Sequence, residues 1–567
     1  MTRVPARHAV VLADPDPIRR SQLQEGFTRW YGDQFLLVPT ARPEDTARTL
    51  DDLARQGTHV VLVAAVDDEP VPVPGTGRLR LAPAAEDPAD LDPRVLDGAV
   101  EEWWQRATPE QRAGFVPVTV RAPYRSPEAF EIRSFLAGSG AVFLWRDPEP
   151  PGDPDVHVLV GDTELPPNPS LAALADALHL VDRPTETWFD VIVIGGGPAG
   201  LSAAIYAGTQ GLRTLVVEDR VPGGQVTTNP DIANCFGFPD GISGYALARR
   251  ALKQAREYQV AWQPAHHATD LRIGDDRTPH EVVVDGMADR TYKAGALIIA
   301  SGLVWRRLDD VPGLKPLVGR GVYYSALPVD APRTQGDHVA VVGGGNSAGH
   351  AALFFAQYAE DVTMIVRAGS LREKMAAYLV DLIEEFNKPE ERIHILTNSD
   401  VTGCAADSRD ELAGIEITNS DTHEVRRLDA RWLYVLIGGE PDLTWAGPAA
   451  LDRIGLSAVT GAVLTGTSVP GRTQALVKAE EQAREEGEKL GLTGRALEKY
   501  VEQAVLKARP ASTATSVPGI YAAGDVQSGA QYGVSSAVGQ GATAIGELFP
   551  YIARHPNLFP SFAPKRG

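Results

Sequence analysis

A short apolar run followed by three regularly spaced glycines constrains this chain more than any other feature. Residues 189–194 are a short apolar, β-branched run, which predicts a buried strand. Gly195, Gly197 and Gly200 follow with the spacing G-x-G-x-x-G, and an Ala-rich segment typical of a helix begins directly after them. The first glycine allows a tight turn, the second lets a pyrophosphate approach the backbone, and the third lets strand and helix pack closely.

An acid stands where such a dinucleotide site needs one. A second predicted strand, residues 215–218, ends in Glu218, close to the ~20-residue offset at which a carboxylate meets the ribose 2′-hydroxyl. The helix that follows the glycines would place its N-terminus against the phosphates, where unpaired N–H groups and the helix dipole favour negative charge. A lone glycine pattern is often only a tight turn, but strand, glycines, helix and acid together favour a dinucleotide site.

The composition argues against several classes of function. At 567 residues, with 43% hydrophobic and 23% charged residues, the chain is long enough for about three or four ordinary globular domains. A formal charge of −20 argues against a nucleic-acid partner, because phosphate backbones need a basic face. We find no apolar run that predicts a signal peptide or a membrane span, so we expect cytoplasmic residence and no membrane partner. Cys235 and Cys404 lie far apart, which suggests neither a disulfide framework nor a metal site.

Two small α/β domains are predicted ahead of the glycine motif. The first, residues 1–110, has predicted strands at 8–13 and 60–65 and a predicted helix at 18–30. The second, residues 111–184, has two predicted strands and two predicted helices. Its strands are expected at 116–120 and 156–160, and its helices at 127–136 and 171–178.

The first domain resembles a response-regulator receiver domain. Asp14 and Asp16 stand at the acidic pair that follows a receiver's first strand, but Val66 occupies the phosphoacceptor position. Residues 69–90 are Pro-rich and too few for the remaining receiver strands and helices. The resemblance therefore implies a degenerate receiver, whose acids are better explained as solvated turn carboxylates than as Mg²⁺ ligands.

The second domain resembles a thioredoxin or glutaredoxin fold. Residues 125–127 stand where the redox Cys-x-x-Cys of that fold would open the first helix, and they are Arg, Ser and Pro. Because this domain contains no cysteine, thiol chemistry is excluded here. Two roles stay open for this domain: docking to a partner and a purely structural role.

Four later segments resemble thioredoxin-reductase-like flavoproteins. Residues 223–239 resemble the flavin-facing loop of that family, and residues 296–302 resemble the strand that closes its first FAD segment. Residues 519–526 resemble the second FAD segment, in which an Asp holds the ribityl chain, and residues 529–541 the loop and helix beneath the isoalloxazine. The resemblance implies an FAD-binding domain built from residues 185–307 and 431–567. The implied FAD-binding residues are Gly195, Gly197, Pro198, Ala199, Gly200, Glu218, Gly224, Gln225, Asn234, Gly302, Gly524 and Asp525.

A second nucleotide-binding unit, residues 308–430, is inserted between the two FAD segments. A predicted strand at 338–342 leads into a glycine-rich turn and a helix, and its companion strand at 362–366 ends in Arg367 instead of an acid. A cation at this place suits the 2′-phosphate of NADP, with Arg372 as a second candidate, although a solvated arginine stays open as the alternative. The predicted NADPH-binding residues are Gly343, Gly345, Asn346, Ser347, Ala348, Arg367 and Arg372.

The redox dithiol of the family is missing. In thioredoxin reductases a Cys-x-x-Cys just before the NADPH-binding strand passes electrons from the flavin to a substrate disulfide. Ser325 and Pro328 stand at these positions here, and serine cannot shuttle two electrons because the exchange needs a thiolate. The strongest overall resemblance is to bacterial proteins that fuse receiver-like and thioredoxin-like domains to such a flavoprotein, and in which this dithiol can be absent. The sequence thereby puts in doubt the disulfide reduction that their name implies.

A charged stretch at about residues 473–509 predicts two exposed helices with a turn at 491–494, because Glu and Lys recur at i,i+4. We know no counterpart of this stretch in a minimal thioredoxin reductase. A surface hairpin and an oligomer or partner contact stay open as its role.

The sequence thus predicts an α/β protein with two nested Rossmann-like dinucleotide-binding domains, preceded by the two small α/β domains. We expect an FAD- and NADPH-dependent oxidoreductase, a homodimer without a metal. It would pass hydride from NADPH to FAD and on to an unidentified small molecule or redox protein, and the flavin itself would carry the chemistry. The alternatives are a ferredoxin- or flavodoxin-type NADP reductase and a non-catalytic flavin redox sensor that acts through the N-terminal domains.

Overall fold

Alternating strands and helices, the pattern that builds parallel sheets, run through most of this protein. The computed structural model describes residues 8–13, 36–40, 46, 48–50, 52–53, 59–65, 77–80, 118–139, 141, 143–229, 232–239, 241–285, 290–388, 390–508 and 512–562. The chain divides into two structural units. The first comprises residues 1–178 together with 317–321 and 327–332, and the second comprises the rest.

A parallel four-stranded sheet opens the first unit. Its strands are β1 (His8–Ala13), β2 (Leu36–Thr40), β3 (His59–Ala65) and β4 (Gly77–Arg80). They pair in the order β2-β1-β3-β4, which is the order of doubly wound folds. Val11 packs with Leu50 and Leu53 in its core.

The structure confirms the two strands predicted in this domain and adds β2 and β4. Residues 69–90 are expected to be too few for the remaining receiver strands and helices, and the described part of this stretch contains one short strand, β4. The predicted helix at 18–30 and the residues Asp14, Asp16 and Val66 lie outside the described residues.

A mixed sheet with two helices follows in the first unit, and we call it the mixed-sheet domain. Its elements are β5 (Val118–Arg121), α1 (Pro127–Ser139), β6 (Phe143–Arg146), β7 (His157–Val160), β8 (Thr163–Glu164) and α2 (Leu171–Ala177). The strand order is β6-β5-β7-β8, with β5 and β6 parallel and the other pairs antiparallel. Both predicted helices and both predicted strands are present, whereas β6 and β8 were not expected. The domain's kinship with thioredoxins stays a prediction.

The second unit contains the remaining elements. In chain order they are β9 (Trp188–Ile194), α3 (Pro198–Thr209), β10 (Thr214–Glu218), α4 (Gly244–Glu257), β11 (Ala261–Pro264), β12 (Ala268–Arg272), β13 (His280–Val284), β14 (Arg290–Ile299), β15 (Val304–Trp305), β16 (Val322–Tyr323), β17 (His338–Val342), α5 (Asn346–Phe355), β18 (Asp361–Ile365), α6 (Ala377–Phe386), β19 (Ile393–Leu396), β20 (Ser399–Ala406), β21 (Leu412–Asn419), β22 (Val425–Leu428), β23 (Trp432–Val435), β24 (Gly439–Glu440), α7 (Pro448–Ile454), α8 (Arg472–Lys489), α9 (Gly494–Ala508), β25 (Ile520–Ala522) and α10 (Val534–Arg554).

A seven-stranded sheet is the base of what we call the outer domain. Strands β11, β10, β9, β14 and β25 are parallel in that order, and β13 and β12 extend the sheet as antiparallel strands. Helices α3 and α10 pack closely, because a Cβ on Gly541 would lie 2.1 Å from the carbonyl oxygen of Ala199. The buried carboxylate of Asp190 accepts hydrogen bonds from the backbone N–H groups of Arg213 at 2.7 Å and Ser561 at 2.9 Å. This carboxylate fixes the start of β9 to a segment near the end of the chain.

A parallel five-stranded sheet is the centre of the inserted domain, the chain between β15 and β24. The strand order is β16-β23-β17-β18-β19, and an antiparallel sheet of β20, β21 and β22 lies beside it in the sequence. Strand β23 pairs with β17, so the boundary that we expected at residue 430 comes too early. The two crossings of the chain between the domains, β15 and β24, pair with each other as a short antiparallel ribbon.

Helices α8 and α9 form the predicted hairpin. The two helices share a small core of Ala483, Leu497 and Val501. At the base of the hairpin the N–H of Gly466 donates to the carbonyl oxygen of Ala514 at 3.0 Å, so the two ends of the insertion meet. Whether the hairpin binds a partner stays a prediction.

The α/β class with Rossmann-like sheets is therefore confirmed. Among the described residues, no helix combines the length and the apolar character that crossing a lipid bilayer requires.

The contact between α3 and α10 gives a stability prediction. Leu548 on α10 is fully buried, so Leu548→Ala should lower the free energy of unfolding of the outer domain by about 2–5 kcal/mol. Val538→Ala on the same helix is the matched control, because Val538 is 41% exposed and its truncation should cost at most about 0.5 kcal/mol. Urea titration followed by circular dichroism measures both, and equal midpoints for the two variants would contradict the packing that we describe.

Candidate functional site

The turn after β9 has room only for glycine at two of its positions. Gly195 has φ +99°, and a Cβ there would lie 2.4 Å from the carbonyl oxygen of Ala300. A Cβ on Gly200 would lie 1.9 Å from the carbonyl oxygen of Gly195. Contacts this short are impossible for a carbon atom. The tight turn and the close approach of strand and helix therefore require that residues 195 and 200 have no side chain.

No side chain caps the N-terminus of α3. Gly197 is its N-cap residue, and the nearest atom to a Cβ there would be the carbonyl oxygen of Gly223, at 4.0 Å. Pro198 takes the first helical position, where its missing N–H costs nothing, and Ala199 is buried behind it. The first N–H groups of a helix have no partner within the helix, so this end can receive a phosphate.

Glu218, the last residue of β10, is a buried carboxylate next to the glycine turn. One of its oxygens accepts the backbone N–H of Gly196 at 2.5 Å, and the other accepts that of Arg220 at 3.0 Å. Burial raises the pKa of Glu218 well above its ordinary value, and the neighbouring Asp219 raises it further. Each carboxylate oxygen has a second lone pair, so Glu218 can still accept the hydroxyls of a ribose.

Two further positions at this site, residues 224 and 302, are also glycines. Gly224 has φ +57°, and a Cβ on it would lie 3.2 Å from Cα of Gly197. Gly302, after β14, has φ +64° and would meet no atom within 4 Å. The exposed Gln225 donates its side-chain N–H to the carbonyl oxygen of Leu303, which joins the loop to the chain after β14. Asn234 lies exposed on the same loop.

Asp525 follows β25 and is a second carboxylate at this edge of the sheet. Burial raises the pKa of Asp525 to about 6, opposed only by a hydrogen bond from the backbone N–H of Gly533. The preceding Gly524 has φ +83° and donates its N–H to Oε1 of Gln540 at 2.6 Å. A side chain on Gly524 would approach Ala199 of α3, so this turn also depends on a glycine.

These residues meet at one edge because they follow parallel strands. Strands β10, β9, β14 and β25 are adjacent, so their carboxyl ends bring Glu218, the glycine turn, Gly302 and Asp525 together. Open parallel sheets bind ligands outside this edge. A helix N-terminus between the buried Glu218 and the half-buried Asp525 fits the charges of a dinucleotide, with the phosphates at the helix and hydroxyl groups at the acids. The residues present therefore fit FAD.

The inserted domain repeats the arrangement at the end of β17. Gly343 has φ +146°, and a Cβ on it would lie 2.3 Å from the carbonyl oxygen of Leu436. Gly345 is the N-cap of α5 and faces open space, and Ala348 is fully buried. Ser347 is exposed at the first turn of α5. This end of the helix can hold a second dinucleotide.

Asn346 has a structural partner as well as an exposed position. Its Oδ1 accepts the backbone N–H of Ala376 at 2.8 Å, which fixes the segment that leads into α6. The side chain therefore positions the loop beside the glycine turn.

The two candidate arginines do not converge on one point. Nε of Arg367 lies 3.0 Å from Oδ1 of Asp400, and its side chain is 77% exposed. Arg372 donates to Asp381 and to Glu384, each at 2.9 Å. Exposed ion pairs contribute little free energy, so a phosphate can compete for either arginine. Arg367 directly follows the end of β18, whereas Arg372 is bound to α6.

The cysteines are not placed for thiol chemistry. Cys235 and Cys404 are both free, and Ser325 is buried just after β16, while Pro328 begins a short 3₁₀ turn. Burial raises the pKa of the Cys404 thiol to about 11 and also raises that of Cys235. Disulfide exchange needs a thiolate, so neither thiol is activated for it.

The sequence did not predict a role for three residues at or near this site. Asp190 fixes the start of β9, Gln540 binds Gly524, and Gly541 allows α3 and α10 to pack closely. A charge inside an apolar strand was a usable signal for Asp190. The amide and glycine in a helix gave no such signal. In the described part of the chain, no group of three or more His, Cys, Asp or Glu side chains is arranged to hold a metal ion.

Comparison with known proteins gives a consistent result. The sequence profile of the pyridine nucleotide-disulphide oxidoreductases matches residues 189–465. The thioredoxin reductase of Mycolicibacterium smegmatis is 34% identical over 288 residues, which are 51% of this chain and 87% of that protein. The thioredoxin reductase of Listeria monocytogenes is 30% identical over 326 residues, 56% of this chain and 95% of that protein. The crystal structure of T. acidophilum thioredoxin reductase superposes with a TM-score of 0.51 at 25% identity, over 64% of this chain and 99% of that one.

The half-buried carboxylate of Asp525 predicts pH-dependent flavin retention. The ionised form is the stronger acceptor of a hydroxyl, so FAD affinity should fall as the pH is lowered through about 6. Asp525→Asn should bind FAD about ten- to a hundredfold more weakly at neutral pH and lack this pH dependence. Flavin fluorescence during titration of the apoprotein measures the affinity. Asp452→Asn, an exposed position on α7, is the control, and a wild-type pH profile in Asp525→Asn would contradict the assignment.

The arginine after β18 gives a cofactor-specificity prediction. Loss of a charge-assisted contact to a 2′-phosphate corresponds to roughly ten- to a hundredfold in affinity. We therefore expect Arg367→Ala to raise the KM for NADPH by that factor and to leave the KM for NADH nearly unchanged. Arg372→Ala is the comparison and should have the smaller effect, because Arg372 is bound to two acids. An equal loss with both nucleotides would mean that Arg367 is structural.

Proposed function

Because the chain belongs to the pyridine nucleotide-disulphide oxidoreductase family, as a relative of the thioredoxin reductases, we propose that it passes electrons from NADPH through FAD to an acceptor without an internal dithiol. The family uses FAD and NADPH, and the chain is an NAD(P)H-dependent flavoprotein oxidoreductase. The proposal concerns the route of the electrons after the flavin.

The observation that carries the proposal is the cysteine content. The sequence has only Cys235 and Cys404, both are free, and burial raises the pKa of each thiol. The resemblance to thioredoxin reductases implies that the dithiol of that family falls at residues 325 and 328, which are serine and proline here. A hydroxyl cannot form the mixed disulfide through which thiol–disulfide exchange proceeds, so an internal relay has no chemical basis.

The chain's own residues would bind and orient the cofactors. The N-terminus of α3 would hold the diphosphate of FAD, Glu218 the ribose and Asp525 the ribityl chain. The turn from Gly343 to Ala348 would hold the NADPH diphosphate, and Arg367 its 2′-phosphate. When bound, the flavin supplies the redox chemistry, because it accepts hydride from the reduced nicotinamide and donates electrons onward.

The test is anaerobic rapid mixing of the flavoprotein with NADPH, followed by addition of candidate acceptors to the reduced protein. We expect bleaching of the flavin absorbance by NADPH and rapid reoxidation by a quinone or a dye, with no reoxidation by an oxidised thioredoxin. Tight flavin binding without reduction by NADPH would refute an oxidoreductase. Fast reoxidation by thioredoxin would refute the missing relay.

The electron capacity of the protein gives the sharpest prediction. Without a dithiol, the wild-type protein should take up two electrons per FAD in an anaerobic dithionite titration, not four. The Cys235→Ser/Cys404→Ser variant should show the same uptake and keep most of the NADPH–dye activity, because neither thiol takes part. A four-electron titration that falls to two in the variant would reveal a hidden disulfide and restore the disulfide-reductase function.

A further inference from the structure

The first structural unit includes two short stretches from far along the chain. They are residues 317–321 and 327–332, which lie on either side of β16 and Ser325 in the sequence. Strand β16 pairs with β23 in the five-stranded sheet, so both stretches are covalently part of the inserted domain. The first unit therefore holds chain that belongs to the nicotinamide-binding half of the molecule.

Two contacts hold these stretches within the first unit, and the first of them is a buried ion pair. Nε of Arg133, on α1, lies 2.9 Å from Oδ1 of Asp330, and both side chains are fully buried. The hydroxyl of Tyr124 donates to the same oxygen at 2.5 Å, and Nη1 of Arg133 donates to the carbonyl oxygen of Tyr124 at 3.0 Å. The guanidinium also lies 3.9 Å from the centre of the Tyr124 ring. Two buried charges with this geometry favour one partner in one position.

The second contact is between the backbone at residue 319 and the start of α1. Gly319 has φ +80°, and a Cβ on it would lie 2.5 Å from Cα of Pro127, the first residue of α1. The chain can therefore approach the start of α1 only because residue 319 is glycine. We call the surface formed by Tyr124, Pro127 and Arg133 the docking face.

The same unit continues covalently into the outer domain by a short tether. After Leu178, the backbone N–H of Asp182 donates to the carbonyl oxygen of Trp262 at 2.8 Å, and its carboxylate accepts the N–H of Trp262 at 2.9 Å. The carbonyl oxygen of Thr187 accepts the N–H of Lys293 at 2.7 Å. Residues 182–187 are thus fixed to β11 and β14 of the outer domain.

The inserted domain has a narrow connection to the outer domain. Its chain enters through β15 and leaves through β24, and these two-residue strands pair with each other. Domains within one chain move relative to each other unless a large interface prevents it, and a few element-terminal residues are enough for a hinge. The β15–β24 ribbon has the form of such a hinge.

We propose that the docking face is a clamp whose partner is this chain's own segment 317–332, and that it restrains movement of the inserted domain about the β15–β24 ribbon. The clamp is joined covalently to the outer domain by the chain at residues 179–187, and it contacts segment 317–332 through the ion pair of Arg133 and Asp330. The expected effect on the rate of flavin reduction rests on the proposed NADPH-to-flavin function. The restraint of the inserted domain does not rest on that function.

This role accounts for a mixed-sheet domain without cysteines. The contacts that hold segment 317–332 are the ion pair of Arg133 with Asp330 and the close approach of Gly319 to Pro127. Neither contact needs a thiol, and the mixed-sheet domain has none.

The test compares Asp330→Asn with the wild-type protein in three measurements. Asp330→Asn keeps the shape of the side chain and removes one charge of a buried pair, so the clamp should open. We expect faster hydrogen exchange in residues 317–332, faster tryptic cleavage at the exposed Arg306 and Arg307 beside the ribbon, and a change of about fivefold or more in the rate of flavin reduction by NADPH.

Two further variants separate the clamp from general damage. Glu128→Gln, an exposed position on α1, is the matched control and should behave like the wild-type protein in all three measurements. Arg133→Met/Asp330→Leu replaces the ion pair by an apolar pair and should return exchange, cleavage and rate towards wild-type values.

The proposal is overturned if exchange in residues 317–332 is unchanged in Asp330→Asn, since the clamp would then not depend on the ion pair. It is also overturned if exchange becomes faster while tryptic cleavage and the reduction rate stay at wild-type values. If NADPH does not reduce the wild-type flavin, the proposed function fails, and the cleavage comparison still decides whether the clamp restrains the ribbon.

Discussion

The absence of a side chain at two positions of the turn after β9 is the constraint on which the rest of the structure depends. Strand β9 and helix α3 can meet only because the carbonyl oxygen of Gly195 lies where a Cβ of Gly200 would be. That contact sets the direction of α3, which in turn sets its packing on α10 through Gly541 and Ala199. The N-terminus of α3, which no side chain caps, begins in the same turn. A steric requirement of a few atoms thus determines both the core of the outer domain and its binding edge.

Local requirements of this kind could be predicted from the sequence. The glycine turns after β9 and β17, the acid that ends β10 and the helical hairpin all follow from periodicity and spacing over about 30 residues. Pairings set by tertiary packing could not be predicted in the same way. Strand β23 inserts beside β17 although the antiparallel strands β20 to β22 precede it in the sequence. Nothing local in Trp432–Val435 distinguishes an inner strand of the inserted sheet from a strand of the outer domain.

The same limit applies to the side chains around the two sites. Arg133 and Asp330 are 197 residues apart, so neither residue carries a sign of the other. Arg367 follows β18 as the spacing required, but its pairing with Asp400 depends on how β20 lies beside it. The sequence alone shows that Cys235 and Cys404 are far apart, because the identity of a residue needs no geometry. The contacts of the segment around Ser325 required the structure.

The helical hairpin of α8 and α9 has a further consequence. Its core of Ala483, Leu497 and Val501 is internal, and its two ends are joined at the base by the hydrogen bond between Gly466 and Ala514. An insertion with its own core and adjacent ends adds little loop-closure entropy to the folding of its host. Such a segment can be gained, lost or exchanged during evolution without disturbing the sheet beneath it. It is likewise a natural place to graft a reporter domain onto this flavoprotein.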